Sequence, residues 1–314
     1  MQVRDVFNLF MKLPGFDMWP EVQDLFPDQE SFVRMDWRLP VYSIEAVDLE
    51  RPDPLPLVSA LACLQVSIIL VDDILDEDAR GKHNEMGTGR AANLALALQS
   101  ASHLLVQDMA LPAERLNRLT TSLQKMAYRT AVGQEIDVNE IANEADYWAL
   151  VQAKSTPFYG TALEIGAITA GASPQMCQAI YEVGSVFGEI IQIMDDITDA
   201  FEQPAKPDWI RQNNNLVILF AKTALHTRQG QFHTYLSDIA TPESLAKAQS
   251  LLIESGAVSY GIYHIFDRYH RAQAILREAG VPHDITITGL LKQQIKPLLS
   301  LLSKINVDVP ADYL

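Results

Sequence analysis

The same five-residue pattern, Asp-Asp-x-x-Asp, occurs twice in this chain of 314 residues, each time directly after a largely apolar run. The first copy consists of Asp72, Asp73 and Asp76, and the second consists of Asp195, Asp196 and Asp199. On an α-helix the positions i, i+1 and i+4 fall within an arc of about 100°. Because apolar flanks indicate a helix inside the protein, each copy predicts a core helix that presents three carboxylates together.

Carboxylates crowded at the end of a core helix repel one another and lose hydration, so they need counter-ions. Mg²⁺ suits this need, since it favours carboxylates together with water and a substrate phosphate. Two facing motifs carry six negative charges, which three Mg²⁺ ions would balance while leaving room for a diphosphate. We therefore predict that all six aspartates are metal ligands. The metals would neutralise a leaving pyrophosphate while a carbocation forms in an apolar pocket.

Helical periodicity dominates the remainder of the chain, and alternating strand patterns are sparse. Proline and glycine clusters separate the helical stretches, while Ser173-Pro174 and Thr241-Pro242 have the form of an N-cap followed by proline. The pattern predicts an all-α fold of roughly ten helices. Since no stretch resembles a linker, residues 1–314 are expected to form one domain, with residues 1–30 as the candidate for a peripheral helix.

Composition narrows the classes of partner and location. The net charge of −16 argues against nucleic acid and against an anionic membrane surface as partners. Cys63 and Cys177, the only cysteines, lie in apolar stretches and fit a reducing compartment. The N-terminus has no signal-peptide pattern, and the apolar run near Val58–Val71 falls short of the roughly 18 residues of a membrane span. These features predict a cytoplasmic protein that is not integral to a membrane.

Three further patterns accompany the aspartate motifs. They are Gly133-Gln134-x-x-Asp137, a tyrosine at 147 followed by Lys154-Ser155-Thr156, and Gln192 just before the second motif. Together with the aspartates, they make residues 30–300 resemble the trans-isoprenyl diphosphate synthase (polyprenyl synthetase) family. The resemblance implies an isoprenoid-synthase helical bundle with a central apolar cavity, usually a homodimer. It also implies a magnesium-dependent prenyltransferase that condenses an allylic diphosphate with isopentenyl diphosphate.

The resemblance assigns roles to individual side chains. The expected catalytic residues are Asp72, Asp73, Asp76, Lys154, Asp195 and Asp196. The expected substrate-binding residues are Gln65, Ser67, Ile68, Arg80, Lys82, Gln134, Lys154, Gln192 and Lys206. In this family, aromatic residues four and five positions before the first motif form the floor of the product pocket. Here those positions are Ile68 and Ser67, so the resemblance implies a deep pocket and a product longer than farnesyl.

The chain departs from the family where a second diphosphate would bind. Elongating members have Gly-Lys-Arg-x-Arg-Pro near the N-terminus, whereas this chain reads Arg34-Met-Asp36-Trp37-Arg38-Leu-Pro40. The family's Arg-Arg-Gly after the first motif is reduced to Arg80 and a glycine, followed by Lys82. Lysine lacks the bidentate fork of arginine. The metal and allylic site is therefore nearly complete, while the isopentenyl diphosphate site lacks several of the expected basic residues.

Several functions stay open at this point. Chain elongation with isopentenyl diphosphate is the activity that the family implies. A terpene synthase that acts on one diphosphate alone is the first alternative, and prenyl transfer to an acceptor without a diphosphate is the second. A non-catalytic subunit is the least favoured, because inactive subunits usually lose the aspartate motifs and both are intact here.

Overall fold

A computed structural model describes residues 1–19, 21–26, 28–137, 141, 143–211 and 214–304, without the side chains of residues 210, 211 and 301–304. Within these ranges the regular structure is helical, no β-strand occurs, and Gln2 and Phe32 form one isolated bridge. The all-α prediction is confirmed. Residues 305–314 of the expected domain lie outside the described part.

The described residues form sixteen α-helices, more than the roughly ten expected from periodicity, because several connections contain helices of only four to eight residues. Two 3₁₀ turns also occur, at Phe16–Met18 and Asp36–Arg38. The helices are α1 (Val3–Phe10), α2 (Glu21–Asp24), α3 (Leu39–Val47), α4 (Leu55–Leu75), α5 (His83–Met86), α6 (Thr88–Gln107), α7 (Ala113–Asp137), α8 (Glu144–Lys154), α9 (Thr156–Thr169), α10 (Pro174–Phe201), α11 (Pro207–Arg211), α12 (Leu216–Thr223), α13 (Gln229–Leu236), α14 (Pro242–Glu254), α15 (Ala257–Glu278) and α16 (Asp284–Lys304).

Two helix starts follow the capping chemistry that the sequence predicts. The Ser173 hydroxyl accepts a hydrogen bond from the backbone N–H of Met176 at 3.2 Å and begins α10. The Thr241 hydroxyl accepts one from Ser244 N–H at 3.3 Å and begins α14. In each case the cap satisfies one of the free N–H groups of the first helical turn. Both N-cap predictions are confirmed.

The second aspartate motif lies on α10, which spans 28 residues and packs against α9 and α15. The crossing with α9 is close at Gly184, where an added Cβ would lie 2.4 Å from the carbonyl oxygen of Tyr159. A larger residue there would force the two helices apart. This contact fixes the position of α10, and therefore of its carboxylates, against the rest of the bundle.

The first motif lies at the end of α4, which is longer than the apolar run suggested. The helix has 21 residues, and one window of 18 residues has a mean hydropathy of 2.0, which is enough by length and composition to cross a membrane. The expectation that this run is too short for a span was therefore wrong. However, 61% of that window is buried inside the protein, and a core helix satisfies the same criterion.

The N-terminal segment, the candidate for a peripheral helix, packs into the core. In α1 the side chains of Val6 and Phe10 are fully buried, and the helix contacts α4 and α6. Aromatic rings extend this packing: Phe10 contacts Phe16, and Phe26 contacts Trp37 at a centroid distance of 5.9 Å. The segment therefore forms one wall beside the end of α4.

Candidate active site

Helices α4, α7, α8 and α10 and the chain after α10 enclose a cleft of about 300 Å³, here called the aspartate cleft. Its lining includes seven aspartates and three cationic residues. The aspartates are Asp72, Asp76, Asp137, Asp195, Asp196, Asp199 and Asp208, and the cations are Arg80, Lys154 and Lys206. Five of the six motif aspartates thus meet in one place, although the two motifs are more than a hundred residues apart in the sequence.

Lys154 links the first motif to the Gly-Gln-x-x-Asp segment. Its Nζ lies 3.0 Å from Asp72 Oδ1 and 2.6 Å from Asp137 Oδ2. Burial disfavours the charged ammonium, but the two neighbouring carboxylates outweigh burial and raise the pKa of Lys154. The Nε2 of buried Gln134 also approaches Asp72 Oδ1 at 3.4 Å. Asp72 is therefore oriented toward the cleft by a fixed cation and a fixed amide.

The close approach of α7 and α8 makes this arrangement possible. A Cβ at Gly133 would lie 2.4 Å from the backbone carbonyl carbon of Ala153, next to Lys154. Only glycine lets the two helices meet at that distance. From the other side, the Asn214 amide donates to Asp137 Oδ1 at 2.7 Å. The glycine and the aspartate of the segment thus contribute to placing Lys154, and the glutamine contacts Asp72, the other partner of Lys154.

Two carboxylates of the second motif, Asp195 and Asp199, have raised pKa values. Burial raises the pKa of Asp195 to about 6, and the nearby Asp199 and Asp208 add to this effect. The pKa of Asp199 is also raised, first by burial and then by Asp208, while Lys206 partly offsets the rise. Carboxylates with raised pKa values in a cleft are candidates for binding cations or protons.

Asp196 has different surroundings from its neighbours in the motif. It is 1% exposed, and its oxygens accept hydrogen bonds from Tyr147 Oη at 2.6 Å, Gln192 Nε2 at 2.8 Å and the Leu216 N–H at 2.7 Å. Burial raises its pKa to about 7, although these donors pull the pKa down. A carboxylate has about four acceptor positions, and three are in use. Asp196 therefore joins α8, α10 and the start of α12.

Asp73 is the motif aspartate that does not line the cleft. It lines a second cavity of about 380 Å³, here called the N-terminal pocket, which lies between α1, the chain from Asp24 to Trp37, and the outer face of α4. Lys82 also lines this pocket, and its Nζ pairs with Glu85 at 2.8 Å. Asp73 is half-buried, and burial followed by repulsion from Asp78 and Asp72 raises its pKa.

Two predicted diphosphate ligands, Arg80 and Lys206, lie in the lining of the cleft. Arg80 is paired with Asp78 at 3.0 Å, and 78% of its side chain is exposed. Lys206 Nζ lies 2.9 Å from Glu202 and 4.0 Å from Asp199. The Arg80 side chain is exposed and can exchange its partner easily, whereas Lys206 is partly buried. Both cations line the cleft and are near enough to meet an anion there.

The remaining predicted substrate ligands divide into two groups. Gln192 lines the cleft and accepts a hydrogen bond from the Ser155 hydroxyl at 2.7 Å. Gln65, Ser67 and Ile68 belong to the lining of neither the aspartate cleft nor the N-terminal pocket. The Ser67 hydroxyl donates to the carbonyl oxygen of Leu64 at 2.8 Å, and Ile68 packs against the core. The deep product pocket stays a prediction.

The donor set of the cleft fits Mg²⁺, which prefers carboxylate oxygens and keeps some ligand positions for water and phosphate. Asp72, Asp76, Asp195 and Asp199 are the members placed to hold it. Within the described ranges no group of three or more His, Cys, Asp or Glu side chains lies close enough to hold a metal unaided. This is compatible with a site that is completed by phosphate oxygens, since Mg²⁺ is usually held by one or two carboxylates plus substrate.

Sequence reasoning missed Asp208 and the role of Asn214, both of which line the cleft. Asp208 Oδ2 accepts a hydrogen bond from Asn215 Nδ2 at 2.9 Å. Asn215 also caps α12 through the N–H groups of Val217 and Ile218. No short motif marks Asp208, which reaches the cleft only because the chain turns back after α10.

Comparison with known proteins identifies the family of the chain. Residues 39–252 match the sequence profile of the Polyprenyl synthetase family. The chain belongs to this family. A curated relative, the geranylfarnesyl diphosphate synthase of Aeropyrum pernix, is 26% identical over 240 residues, covering 71% of this chain and 75% of the relative. The geranylgeranyl diphosphate synthase of Methanosarcina mazei is 26% identical over 168 residues, covering 51% and 52%.

Solved structures show that the fold is shared. The geranylgeranyl pyrophosphate synthetase of Geoglobus acetivorans superposes with a TM-score of 0.74 at 19% identity, covering 92% of this chain and 95% of the other. The corresponding enzyme of Pyrococcus horikoshii gives 0.73 at 18% identity, covering 93% and 94%. The prediction of an isoprenoid-synthase bundle is thereby confirmed, as is the assignment of this polyprenyl synthetase as a trans-prenyltransferase.

Proposed function

We propose that the aspartate cleft ionises an allylic diphosphate with the help of Mg²⁺ and that the enzyme transfers the resulting prenyl group. One observation carries this proposal: Asp72 of α4 and Asp76, which follows the last residue of α4, line the same cleft as Asp195 and Asp199 of α10 and as Lys154. We propose that three Mg²⁺ ions bind in the cleft. They would neutralise the pyrophosphate as the allylic C–O bond breaks.

The chain's own residues have separate tasks in this scheme. Lys154, held between Asp72 and Asp137, is placed to donate a charge-assisted hydrogen bond to a diphosphate oxygen. Arg80 and Lys206, whose present partners are Asp78 and Glu202, can turn toward the same group. Leu150 and Val151 contribute apolar surface to the cleft, which excludes water from the cation.

The acceptor is the open part of the function. The names of the curated relatives, which are prenyl diphosphate synthases, support isopentenyl diphosphate and a product longer than farnesyl. The geometry around the expected isopentenyl ligands favours a second candidate, transfer to an acceptor without a diphosphate. Gln65 is bonded to Asp36 and Trp37, and Lys82 is paired with Glu85. Homodimerisation and a cytoplasmic location remain predictions from the sequence.

The test is a product analysis with purified full-length protein, Mg²⁺ and labelled farnesyl or geranylgeranyl diphosphate, with and without isopentenyl diphosphate. Pyrophosphate release that depends on Mg²⁺ supports the proposal. Longer diphosphates would identify a chain-elongating synthase, whereas hydrocarbons or alcohols formed without isopentenyl diphosphate would identify a terpene synthase. The absence of pyrophosphate release with either substrate would contradict the proposal.

A further inference from the structure

Two adjacent asparagines, Asn214 and Asn215, contact different parts of the aspartate cleft. The Nδ2 of Asn214 donates to Asp137 Oδ1 at 2.7 Å and to the carbonyl oxygen of the same residue at 3.1 Å. The Nδ2 of Asn215 donates to the carbonyl oxygen of Asp196 at 2.8 Å and to Asp208 Oδ2 at 2.9 Å. The first asparagine is therefore bound to the end of α7, and the second is bound to α10 and α11.

Asn215 is fully buried, and its side chain has every hydrogen-bonding position in use. A side-chain amide has two N–H donors and an oxygen with two acceptor positions. The donors are engaged with Asp196 and Asp208, and Oδ1 accepts from the N–H groups of Val217 and Ile218, each at 3.2 Å. Neither serine nor aspartate can reproduce this set of bonds, because serine has one donor and an ionised aspartate has none.

Asn214 acts on Lys154 through Asp137. The Asp137 carboxylate accepts a hydrogen bond from Asn214 with Oδ1 and one from the Lys154 ammonium with Oδ2, the latter at 2.6 Å. The amide thus fixes the rotation of the carboxylate, and the carboxylate in turn fixes the ammonium through a charge-assisted bond. Without Asn214 the carboxylate would be held less firmly, and so would the ammonium beside it.

Asn215 and the residue after it fix the second motif at Asp196. Asn215 binds the backbone carbonyl oxygen of Asp196, and the N–H of Leu216 donates to the carboxylate Oδ2 of the same residue at 2.7 Å. The other N–H of Asn215 holds Asp208, whose carboxylate lines the cleft together with Asp195 and contributes to the raised pKa of Asp195. Asn215 therefore holds an additional negative charge close to the motif.

We infer that Asn214 and Asn215 are positioning residues that hold the Lys154 ammonium and the second aspartate motif at a fixed separation. The inference rests on the proposed function, because this separation matters only if a diphosphate and its metal ions bind between the two. Consecutive Cα atoms lie about 3.8 Å apart, so the groups that the two asparagines hold move together. Both N–H groups of Asn214 are used on Asp137, so its amide acts through that carboxylate.

Calorimetry of the full-length protein with Mg²⁺ and farnesyl S-thiolodiphosphate, an unreactive analogue of an allylic diphosphate, tests the inference through double-mutant cycles. We expect Asn214→Ala to weaken binding of the analogue about tenfold, because Lys154 then makes a poorer charge-assisted contact with the diphosphate. Lys154→Ala removes that contact directly. In the Lys154→Ala background, Asn214→Ala should change the Kd by less than about twofold, whereas a merely structural role would give the same loss in both backgrounds.

Asn215→Ser tests the other half of the inference, because serine is as good an N-cap as asparagine but has one donor instead of two. We expect the Mg²⁺ concentration that gives half-maximal binding of the analogue to rise about five- to tenfold. In the Asp208→Asn background the same change should raise it by less than about twofold. The reason is that Asp196 keeps its three other donors, on Tyr147, Gln192 and Leu216.

Asn8→Ala and Asn8→Ser are the matched controls, since Asn8 is an exposed asparagine of α1 outside the lining of the cleft. Both should bind the analogue and Mg²⁺ as the wild type does. Equal effects in the two backgrounds of either cycle would overturn the inference, as would wild-type binding by Asn214→Ala or Asn215→Ser. If Asn215→Ser does not fold, the cycle at Asn214, which is only partly buried, decides alone.

Failure of the proposed function gives a different result from failure of this inference. It appears as the absence of Mg²⁺-dependent binding of farnesyl S-thiolodiphosphate by the wild-type protein. The same two cycles are then measured with inorganic pyrophosphate as the probe, and the same outcomes support or overturn the inference. If the wild type does not bind pyrophosphate either, both the proposed function and the inference are contradicted.

Discussion

The aspartate cleft and the N-terminal pocket both lie at the end of α4, yet they differ in the balance of acidic and basic residues that line them. In the cleft, seven aspartates outnumber three cations, and burial raises the pKa of Asp195 and Asp199. In the pocket, the cations Arg34 and Lys82 already have carboxylate partners. The cations of the cleft are paired with carboxylates as well, so the difference between the two cavities is the larger surplus of aspartates in the cleft.

The difference shows why the number of charged residues does not by itself define a ligand. A surplus of carboxylates that the protein leaves uncompensated favours metal ions and, through them, a polyanionic substrate. A cation that is paired with a buried carboxylate, as Arg34 is with Asp36, cannot bind a polyanion without leaving that carboxylate unpaired. We therefore expect substitutions in the cleft to change metal and diphosphate chemistry, and substitutions at Asp36 to change the choice of acceptor.

The largest effect is expected from removing a carboxylate that faces the cleft. Asp195→Ala should lower Mg²⁺-dependent pyrophosphate release from farnesyl diphosphate by at least about a hundredfold, because charge stabilisation in the transition state is lost. Release is measured with a coupled phosphate assay. Asp17→Ala, which removes an exposed aspartate, is the control and should keep wild-type activity. Wild-type release by Asp195→Ala would show that the cleft is not the metal site.

The pH dependence of Mg²⁺ binding tests the raised pKa values. Asp195, with its pKa raised to about 6 by burial, Asp199 and Asp208, holds a proton at pH 5 that an aspartate of ordinary pKa has lost. Mg²⁺ must displace this proton, so its affinity should rise up to about tenfold between pH 5 and 6 and level off above the folded pKa. Calorimetric titrations at pH 5, 6 and 7 measure this. An affinity that is constant over this range would contradict the raised pKa of Asp195.

Tyr147→Phe should have a moderate effect on stability. The change removes the hydroxyl that donates to the fully buried Asp196 at 2.6 Å, so we expect the free energy of unfolding to fall by about 1–2 kcal/mol. Denaturant unfolding of the metal-free protein measures it. Tyr128→Phe serves as the control, because 71% of Tyr128 is exposed. Equal stability of the two variants would show that Tyr147 does not support Asp196.

The sequence predicted the helices that carry the motifs better than the roles of individual aspartates. The apolar flanks and the caps at Ser173 and Thr241 are local signals, and both caps are present. Asp73 and Asp196 have surroundings that differ from those of their motif neighbours, because residues far away in the sequence contact them. Asp196 bonds to the N–H of Leu216, twenty residues later, and Asp73 faces a wall formed by the N-terminal segment.

The acceptor region was only partly predictable for a similar reason. The sequence showed that Asp36 and Trp37 stand where basic residues are expected. It did not show that both would bond to Gln65, because that contact arises from the packing of the 3₁₀ turn at Asp36–Arg38 against α4. The sequence alone showed that a basic residue is missing. The hydrogen bonds that Asp36 and Trp37 make with Gln65 could be recognised only in the three-dimensional structure.

The smallest effect is expected at the other cation of the N-terminal pocket. Glu85→Gln removes the partner of Lys82, but this pair is exposed, so solvent already screens it. Binding of isopentenyl diphosphate should improve by less than about threefold, and by less than for Asp36→Asn, which frees Arg34 from a buried carboxylate. Calorimetry with protein that is saturated with Mg²⁺ and the unreactive analogue farnesyl S-thiolodiphosphate compares the two variants. A larger gain for Glu85→Gln would identify Lys82, rather than Arg34, as the restrained cation.

The most direct test of the aspartate cleft is a crystal structure with Mn²⁺ in place of Mg²⁺ and with farnesyl S-thiolodiphosphate. Anomalous scattering locates the metal independently of the protein. We expect Mn²⁺ peaks about 2.0–2.3 Å from carboxylate oxygens of Asp72 or Asp76 and of Asp195 or Asp199, with the diphosphate between them and beside Lys154. A diphosphate bound in the N-terminal pocket, or metal peaks away from both motifs, would contradict the assignment.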